Sequence, residues 1–185
     1  PLNIAFISSY TKKVMKEKNI HCEIQLFKDP AKIIESIKSE KPDIIALAYY
    51  AWNKELNKKI FEISKKYNPD CLTLGGGPEI TSINANLNGA RKFFEKQINC
   101  NGYIINQGEK GFALAVEKFD SFNKNIAKFI SSPIPGLLIN NLKKNNEVHV
   151  GEDIGALENL NDIPSPYLNG ELDEYFEGPY IPIIE

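Results

Sequence analysis

The sequence predicts an α/β fold: a doubly wound, mostly parallel, five-stranded sheet with helices on both faces. Short apolar runs alternate with segments of helical periodicity over residues 1–120. This alternation is typical of parallel strands joined by crossover helices. Most of the runs are almost continuously apolar, as expected of strands that are covered on both faces. Together these patterns indicate a Rossmann-like, or flavodoxin-like, arrangement.

Five apolar runs are predicted to be strands: Leu2–Ile7, Cys22–Phe27, Ile44–Ala48, Cys71–Leu74 and Tyr103–Ile105. The second run alternates apolar and polar residues, which predicts a half-exposed edge strand. The first run lacks the basic and small-residue series of a signal peptide, so we interpret it as a strand. The interval Ser8–His21 leaves little room for a full crossover helix, and we expect a more open wall there.

Four helices are predicted between and after these runs. Asp29-Pro30 provides an N-cap and a proline for the first turn of one helix. Asn53 is the predicted cap of the next helix, which Asn68-Pro69-Asp70 ends. Apolar residues at helical spacing mark the other two, namely Leu87, Ala90, Phe94 and Ile98, then Phe112, Ala113, Val116 and Phe119.

The pattern changes near residue 131, which predicts a division into residues 1–130 and residues 131–185. Leu137–Ile139 and Val148–Val150 flank a polar turn and predict a hairpin. A segment rich in proline and acidic residues follows, and Gly178–Glu185 closes the sequence with an apolar, strand-like run. We therefore expect the second part to be a hairpin and a linker that leads to a further domain.

Composition restricts the classes of function. Among 185 residues the hydrophobic fraction is 42% and the formal net charge is −2, so the chain has no general attraction for nucleic acid or anionic membranes. No apolar run reaches the roughly 18 residues of a membrane-spanning helix. The three cysteines, Cys22, Cys71 and Cys100, have neither disulfide-framework nor zinc-site spacing. We expect a reducing, cytoplasmic setting.

Ligands of such sheets bind beyond the carboxyl ends of the strands, so the segments that follow the predicted strands are the candidate site. These segments contain Ser8, Ser9 and Tyr10; Tyr49, Tyr50, Trp52 and Asn53; Gly75, Gly76, Gly77, Pro78 and Glu79; and Gly108 and Glu109. Three successive glycines permit close approach of a bulky ligand, although a tight turn needs only one or two of them. The aromatic residues line either a wide cavity or the packing of a helix on the sheet.

Other chemistry is weakly supported. The backbone amides at Gly108 are suited to an anion or an amide oxygen, or belong to an ordinary capped helix. His21 and His149 do not follow the first strand, and we interpret both as surface or structural residues. A dinucleotide motif belongs after the first strand, where Ser8-Ser9-Tyr10 stands instead. Glu79 and Glu109 are as well suited to helix capping as to action on a ligand.

Taken in order, these segments resemble the N-terminal cobalamin-binding domain of B12-dependent radical S-adenosylmethionine enzymes. The matching segments are Lys41-Pro42-Asp43-Ile44-Ile45, Tyr50-Ala51-Trp52-Asn53, Asn68-Pro69-Asp70 with Gly76-Gly77-Pro78-Glu79, Gly108-Glu109-Lys110-Gly111-Phe112, Ile134-Pro135-Gly136-Leu137, and Leu160-Asn161-Asp162-Ile163-Pro164-Ser165-Pro166-Tyr167. Each motif alone is loose, but the ordered set is fairly specific and extends over nearly the whole chain.

The resemblance implies that the chain binds cobalamin at the segments named above and is itself non-catalytic. It implies a parent enzyme of methyltransferase type, whose radical SAM barrel holds a [4Fe–4S] cluster and S-adenosylmethionine, and which would begin where this sequence stops. Because no histidine follows the first predicted strand, we expect the corrin to bind without a histidine ligand. Two alternatives stay open: a vestigial scaffold that no longer binds cobalamin, favoured by Ala48 in place of the family's usual serine, and a flavodoxin-like module that binds FMN.

Overall fold

The computed structural model describes residues 2–81 and 85–176 and confirms the α/β class. The helices and strands in chain order are α1 (Leu2–Glu17), α2 (Pro30–Ser39), β1 (Ile44–Ala48), α3 (Lys54–Tyr67), β2 (Leu72–Gly76), α4 (Leu87–Lys96), β3 (Gly102–Ile104), α5 (Gly108–Ser121), α6 (Ile126–Phe129), β4 (Leu137–Asn141), α7 (Leu142–Asn145), β5 (Glu147–Val150), a 3₁₀ turn (Leu160–Asp162) and α8 (Asp173–Phe176).

The five strands form one open sheet in the order β1-β2-β3-β4-β5. The first three strands are parallel, whereas β4 is antiparallel to both β3 and β5. Four of the five strands therefore run in the same direction. The predicted hairpin is confirmed, and its two strands extend the sheet beyond β3. The carboxyl ends of β1, β2 and β3 lie side by side, with Ala48 opposite Gly76 and Gly76 opposite Ile104.

Helices cover both faces of the sheet, as predicted. On one face α2, α3 and α4 bury Ile37, Phe61 and Phe94 against strand residues such as Ile45. On the other face α1, α5 and α6 form a second core cluster that includes Leu74 of β2. In β1, β3 and β4, alternate residues supply the two clusters, because successive side chains of a strand point to opposite faces.

The prediction that Leu2–Ile7 is a strand is wrong, because this segment opens the 16-residue helix α1. The expectation that Ser8–His21 is too short for a crossover helix is wrong for the same reason. Helix α1 packs beside α5 and runs in the same direction, since Ile7 contacts Gly108 at the start of α5 and Lys18 pairs with Glu117 near its end. The start of α1 therefore lies at the carboxyl edge of the sheet.

The segment Cys22–Phe27 is not assigned as a strand, which corrects the second strand prediction. Its exposure still alternates, with Cys22, Ile24 and Leu26 half-buried and the residues between them exposed. The segment is thus extended and amphipathic, but it pairs with no strand in the described part of the chain. The predicted closing run Gly178–Glu185 lies outside the described residues.

The remaining element predictions hold with small shifts. Asp29 caps α2 by accepting a hydrogen bond from Ala31 N, and Pro30 occupies the first turn. Asn68 ends α3 as predicted, whereas Asn53 precedes α3 without a side-chain capping bond. Helix α4 ends at Lys96, before the predicted Ile98, and α5 is confirmed.

A polar cluster ties the strands together at the amino edge of the sheet. Lys65 donates from Nζ to the carbonyl oxygen of Cys71 and to Asn101 Oδ1, and Thr73 Oγ1 also donates to Asn101 Oδ1. Burial lowers the pKa of Lys65 to about 8. Burial raises the pKa of the Cys71 thiol to about 11 and that of Cys100 to about 12. Both thiols are free in this structure.

These thiols predict a loss of stability at alkaline pH. In the unfolded chain each thiol ionises near pH 9, whereas in the folded chain its pKa is higher. From about pH 9 upwards the unfolded state therefore releases protons first, and the free energy of unfolding falls. The double variant Cys71→Ala/Cys100→Ala should therefore lose less stability than the wild type between pH 8 and pH 10, by about 1 kcal/mol for each thiol. Urea unfolding of both proteins at pH 8 and at pH 10 gives the difference. Parallel pH profiles would contradict the prediction.

Candidate functional site

The candidate site is the carboxyl edge of the sheet, where β1, β2 and β3 end. The segments after these strands lead into α3, towards α4, and into α5, so the sheet brings three of the four predicted segments together. The start of α1 also lies at this edge, beside Gly108. The parallel pairing of β1, β2 and β3 explains the arrangement, because it places every loop from strand to helix at the carboxyl end of the sheet.

The aromatic residues after β1 have different environments. The Tyr49 side chain is fully buried on the α3–α4 face, and its hydroxyl lies 3.2 Å from Gln97 Oε1. Burial raises the pKa of Tyr49, so its phenol stays protonated at neutral pH. Trp52, by contrast, is 81% exposed and stacks on Tyr50, with ring centroids 4.8 Å apart and ring planes 11° apart. Tyr49 is therefore a core residue, whereas the Tyr50–Trp52 pair presents a flat apolar surface to solvent.

Hydrogen bonds fix the backbone that carries this aromatic pair. Asn53 accepts from Tyr50 N through Oδ1 and donates through Nδ2 to the carbonyl oxygen of Ala48, at 2.9 and 2.8 Å. Asn57, in the second turn of α3, donates to the same carbonyl oxygen at 2.9 Å. Asn53 was predicted to contact a ligand, and both ends of its amide are engaged within its own loop.

Packing accounts for Gly75, the first glycine of the segment after β2. A methyl group at Gly75 would lie 2.9 Å from Tyr103 Cδ2 and 3.1 Å from the Tyr49 ring. These distances are shorter than ordinary van der Waals contacts, and both rings are fully buried. Gly75 is therefore required by the packing of the core, and that it contacts a ligand stays a prediction.

The other two glycines differ from each other. Gly77 has φ of +118°, and a methyl group there would lie 2.8 Å from the Tyr49 carbonyl oxygen. Gly76 has an ordinary backbone, and a methyl group would meet only Ile104, at 3.6 Å. Of the three glycines, Gly76 is thus the one that the fold does not demand.

Tyr103 and Glu79 hold the rest of the glycine segment in place. The Tyr103 hydroxyl donates to the Gly77 carbonyl oxygen at 2.7 Å and accepts from Ile80 N at 3.2 Å. Glu79 pairs with Lys54 at the start of α3, at 2.6 Å. Pro78 lies exposed between these two anchors. The segment is thus attached to both β3 and α3.

The start of α5 contributes Gly108 and Glu109 to the edge. Gln107 precedes the helix without a side-chain capping bond, and its Oε1 accepts instead from Leu157 N at 2.9 Å. Ile7 of α1 lies so close that a methyl group at Gly108 would be 2.5 Å from its Cδ1. Gly108 therefore allows α1 and α5 to approach each other, and Glu109 lies in the first turn of α5, where negative charge is favoured.

The predicted loop Ser8-Ser9-Tyr10 is wrong as a loop, because these residues lie inside α1. Ser8 and Ser9 are buried and contact the segment 151–176, which we call the tail. Ser8 Oγ donates to Glu171 at 2.9 Å, and the Ser9 hydroxyl lies 3.0 Å from the Asn169 amide. That these residues contact a ligand stays a prediction.

The tail crosses the helices at this edge. It begins after β5 and is held by Lys110 of α5, which donates to the Ile154 carbonyl oxygen at 2.6 Å. Further along, Lys13 of α1 donates to the Asp162 carbonyl oxygen at 2.9 Å, and Lys12 pairs with Glu171 at 2.7 Å. The tail is thus bound mainly by side chains of α5 and α1.

Both histidines lie away from the aromatic and glycine segments. His21 is exposed and follows the far end of α1, about 24 Å along the helix from its start. His149 lies on β5 opposite Ile139, level with the start of β3, and its Nε2 is buried without a partner among the described residues. In the described ranges, no three metal-ligating side chains converge, and no helix is long and apolar enough to span a membrane.

Comparison with known proteins found two relatives and no matching family model. The chain is 29% identical over 133 residues to the cobalamin-dependent radical SAM methyltransferase TokK of Streptomyces tokunonensis, covering 72% of this chain and 18% of that protein. It is 23% identical over 153 residues to a 2-(S-pantetheinyl)-carbapenam-3-carboxylate methyltransferase of Streptantibioticus cattleyicolor, covering 80% of this chain and 20% of that protein. The chain thus spans about a fifth of the length of each relative.

Sequence reasoning missed Asn57 and Tyr103 as residues that shape the site. Asn57 lies four residues after Asn53 and three before Ile60, so helical spacing places it on the buried side of α3. A polar residue at such a position must find a hydrogen-bond partner, and this was the available signal. The Tyr103 hydroxyl offered no such signal, because its partners lie 26 and 23 residues away in the chain.

The glycine geometry predicts two different effects of alanine substitution on stability. Gly75→Ala and Gly77→Ala should each lower the free energy of unfolding by about 1–3 kcal/mol, because the new methyl group meets the buried tyrosine rings or the Tyr49 backbone. Gly76→Ala should stay within about 0.5 kcal/mol of the wild type. Urea denaturation measures all three. Equal losses for the three variants would show that the segment responds as a unit and would refute the distinction.

Proposed function

We propose that this chain is the cobalamin-binding module of a larger radical SAM enzyme of methyltransferase type, which binds the corrin without a protein histidine ligand. The observation that carries the proposal is the exposed Tyr50–Trp52 stack beside Gly76 at the carboxyl edge of the sheet. The relative TokK, named as a cobalamin-dependent radical SAM methyltransferase, supports the choice of ligand. The module itself is non-catalytic, and the iron–sulfur cluster and S-adenosylmethionine belong to the remainder of the parent protein.

The exposed Trp52 fits a large, flat ligand. Burial of an aromatic side chain of this size removes about 150–250 Å² from water, at about 25 cal/mol for each Å² of apolar surface. Trp52 retains most of this area in solvent, at the edge where ligands of parallel sheets bind. A corrin ring would cover the aromatic pair, so we assign Tyr50 and Trp52 the role of an apolar platform.

Gly76 fits the close approach of the cofactor's nucleotide tail. It lies on the face of the sheet covered by α1 and α5, as shown by its contact with Ile104 of the second core cluster. Because packing does not require glycine there, the missing side chain serves to keep the end of β2 open. We assign Pro78, Glu79, Gly108 and Glu109 to the border of this site, and the first backbone amides of α5 are suited to donate hydrogen bonds to polar groups of the ligand.

The positions of the histidines support binding without a histidine ligand. His21 lies at the opposite end of α1, and His149 is half-buried on β5, level with the start of β3. Neither adjoins the aromatic platform. When bound, the corrin would supply the methyl-transfer chemistry, while this chain's residues would hold and orient it.

The first test is a visible-absorption titration of the purified chain with hydroxocobalamin, followed by desalting. We expect corrin bands to be retained without the spectral signature of histidine ligation. Gly76→Val and Trp52→Ala should each weaken retention by about tenfold or more. Gly76→Ala, which the fold tolerates, is the matched control for the larger side chain at the same position.

The alternatives predict other outcomes of this titration. Retention of FMN but not of hydroxocobalamin would favour a flavodoxin-like module. If neither this chain nor a full-length parent protein retains hydroxocobalamin or FMN, a vestigial scaffold is favoured and the proposal is contradicted. Loss of retention in either the His21→Ala or the His149→Ala variant would contradict histidine-free binding.

A further inference from the structure

We propose that Asn57 is a positioning residue that, together with Asn53, fixes the loop bearing the Tyr50–Trp52 stack. The inference rests on the proposed function only in naming the ligand that the loop serves. Asn57 is 4% exposed and lies on α3, outside the loop itself. An amide buried to this degree costs free energy unless it is hydrogen-bonded, so its partners indicate what it does.

Asn57 bonds to the loop and thereby closes a ring of contacts. Its Nδ2 donates to the Ala48 carbonyl oxygen at 2.9 Å and approaches Asn53 Oδ1 at 3.4 Å. Asn53 in turn donates to the same carbonyl oxygen and accepts from Tyr50 N. The backbone adds a bond from Asn57 N to the Asn53 carbonyl oxygen at 2.9 Å. Both asparagines therefore converge on the last carbonyl group of β1.

The loop needs such a device because Trp52 supplies little packing of its own. With 81% of its surface exposed, its ring cannot anchor the backbone as a core side chain does. At the start of the loop, Tyr49 N donates to the Gly76 carbonyl oxygen at 2.7 Å, which ends the pairing with β2. Between Tyr49 and the first turn of α3, the two asparagines hold the orientation of the aromatic pair.

A fixed orientation matters because a ligand that must order a mobile loop binds less tightly. The amides of Asn53 and Asn57 order the loop when the chain folds, so the ligand does not have to order it on binding. Loss of the Asn57 amide should leave the sheet and α3 intact while the aromatic pair becomes mobile on the nanosecond timescale.

The test uses Trp52 as its own probe, since it is the only tryptophan in the chain. Time-resolved fluorescence anisotropy is measured on the wild type, on Asn57→Leu and on the control Ser64→Ala. Ser64 lies on the same helix, is 1% exposed, and donates only to the Ile60 carbonyl oxygen at 2.9 Å. We expect the fast component of the anisotropy decay to gain about twofold in amplitude in Asn57→Leu and to stay unchanged in Ser64→Ala.

Two results would overturn the proposal: an unchanged decay in a folded Asn57→Leu, or an equal gain in both variants. If Asn57→Leu lacks the wild-type circular dichroism, Asn53→Ala replaces it, because that variant removes the other donor to Ala48, and the same two results decide. The affinity for hydroxocobalamin should fall about tenfold in Asn57→Leu, or in Asn53→Ala where it replaces that variant, and less than about twofold in Ser64→Ala. A gain in mobility, with no cobalamin binding by the wild-type chain or by a full-length parent protein, would sustain the positioning role and refute the proposed function.

Discussion

The contact on which the carboxyl edge depends is the packing of Tyr49 and Tyr103 over the bare backbone of Gly75. The two rings meet edge to face, with centroids 5.9 Å apart, and both are fully buried. Phe93 of α4 packs against both rings, so the cluster joins the sheet to a helix. Because Gly75 has no side chain, the two rings lie directly on β2. The edge of the sheet is therefore supported by buried core side chains.

This core contact continues into the loops through hydrogen bonds at the ends of the same residues. The Tyr103 hydroxyl reaches Gly77 and Ile80, and the Tyr49 backbone pairs with Gly76. The loops after β1 and β2 are therefore held by buried side chains, while Trp52 and Pro78 remain at the surface. Such a division, with a rigid support under an exposed apolar surface, is what a preorganised binding site requires.

The sequence predicted well the elements whose apolar pattern was simple. β1, β2, α3 and α5 follow from continuous apolar runs and helical spacing, and Tyr49 could have been placed in the core as well, since it continues the alternation of Ile45 and Leu47. The first helix was missed because its buried face includes Ser8, Ser9 and Thr11, which are polar in composition and conceal the helical period.

Other features depend on contacts that the local pattern does not contain. The segment Cys22–Phe27 keeps the alternation of a strand, but a strand also requires a neighbour, and the pattern is silent about neighbours. The sequence does not distinguish the three glycines. Their roles differ because of the atoms that surround each one and because of the positive φ of Gly77. The meeting of three of the predicted segments at one edge of the sheet could therefore be predicted from the sequence, whereas the contacts of each residue could not.

The attachment of the tail has a mechanical consequence. Its polar contacts follow one another along the chain: Lys110 with the Ile154 carbonyl oxygen, Lys13 with the Asp162 carbonyl oxygen, and Ser8 and Lys12 with Glu171. A pulling force applied at Phe176 would load these contacts one after another, from Lys12 back to Lys110. The hydrogen-bonded strands of the sheet would come under tension only after the last of these tail contacts had broken. The tail would thus yield at low force in small steps, and the sheet would break later, as one unit.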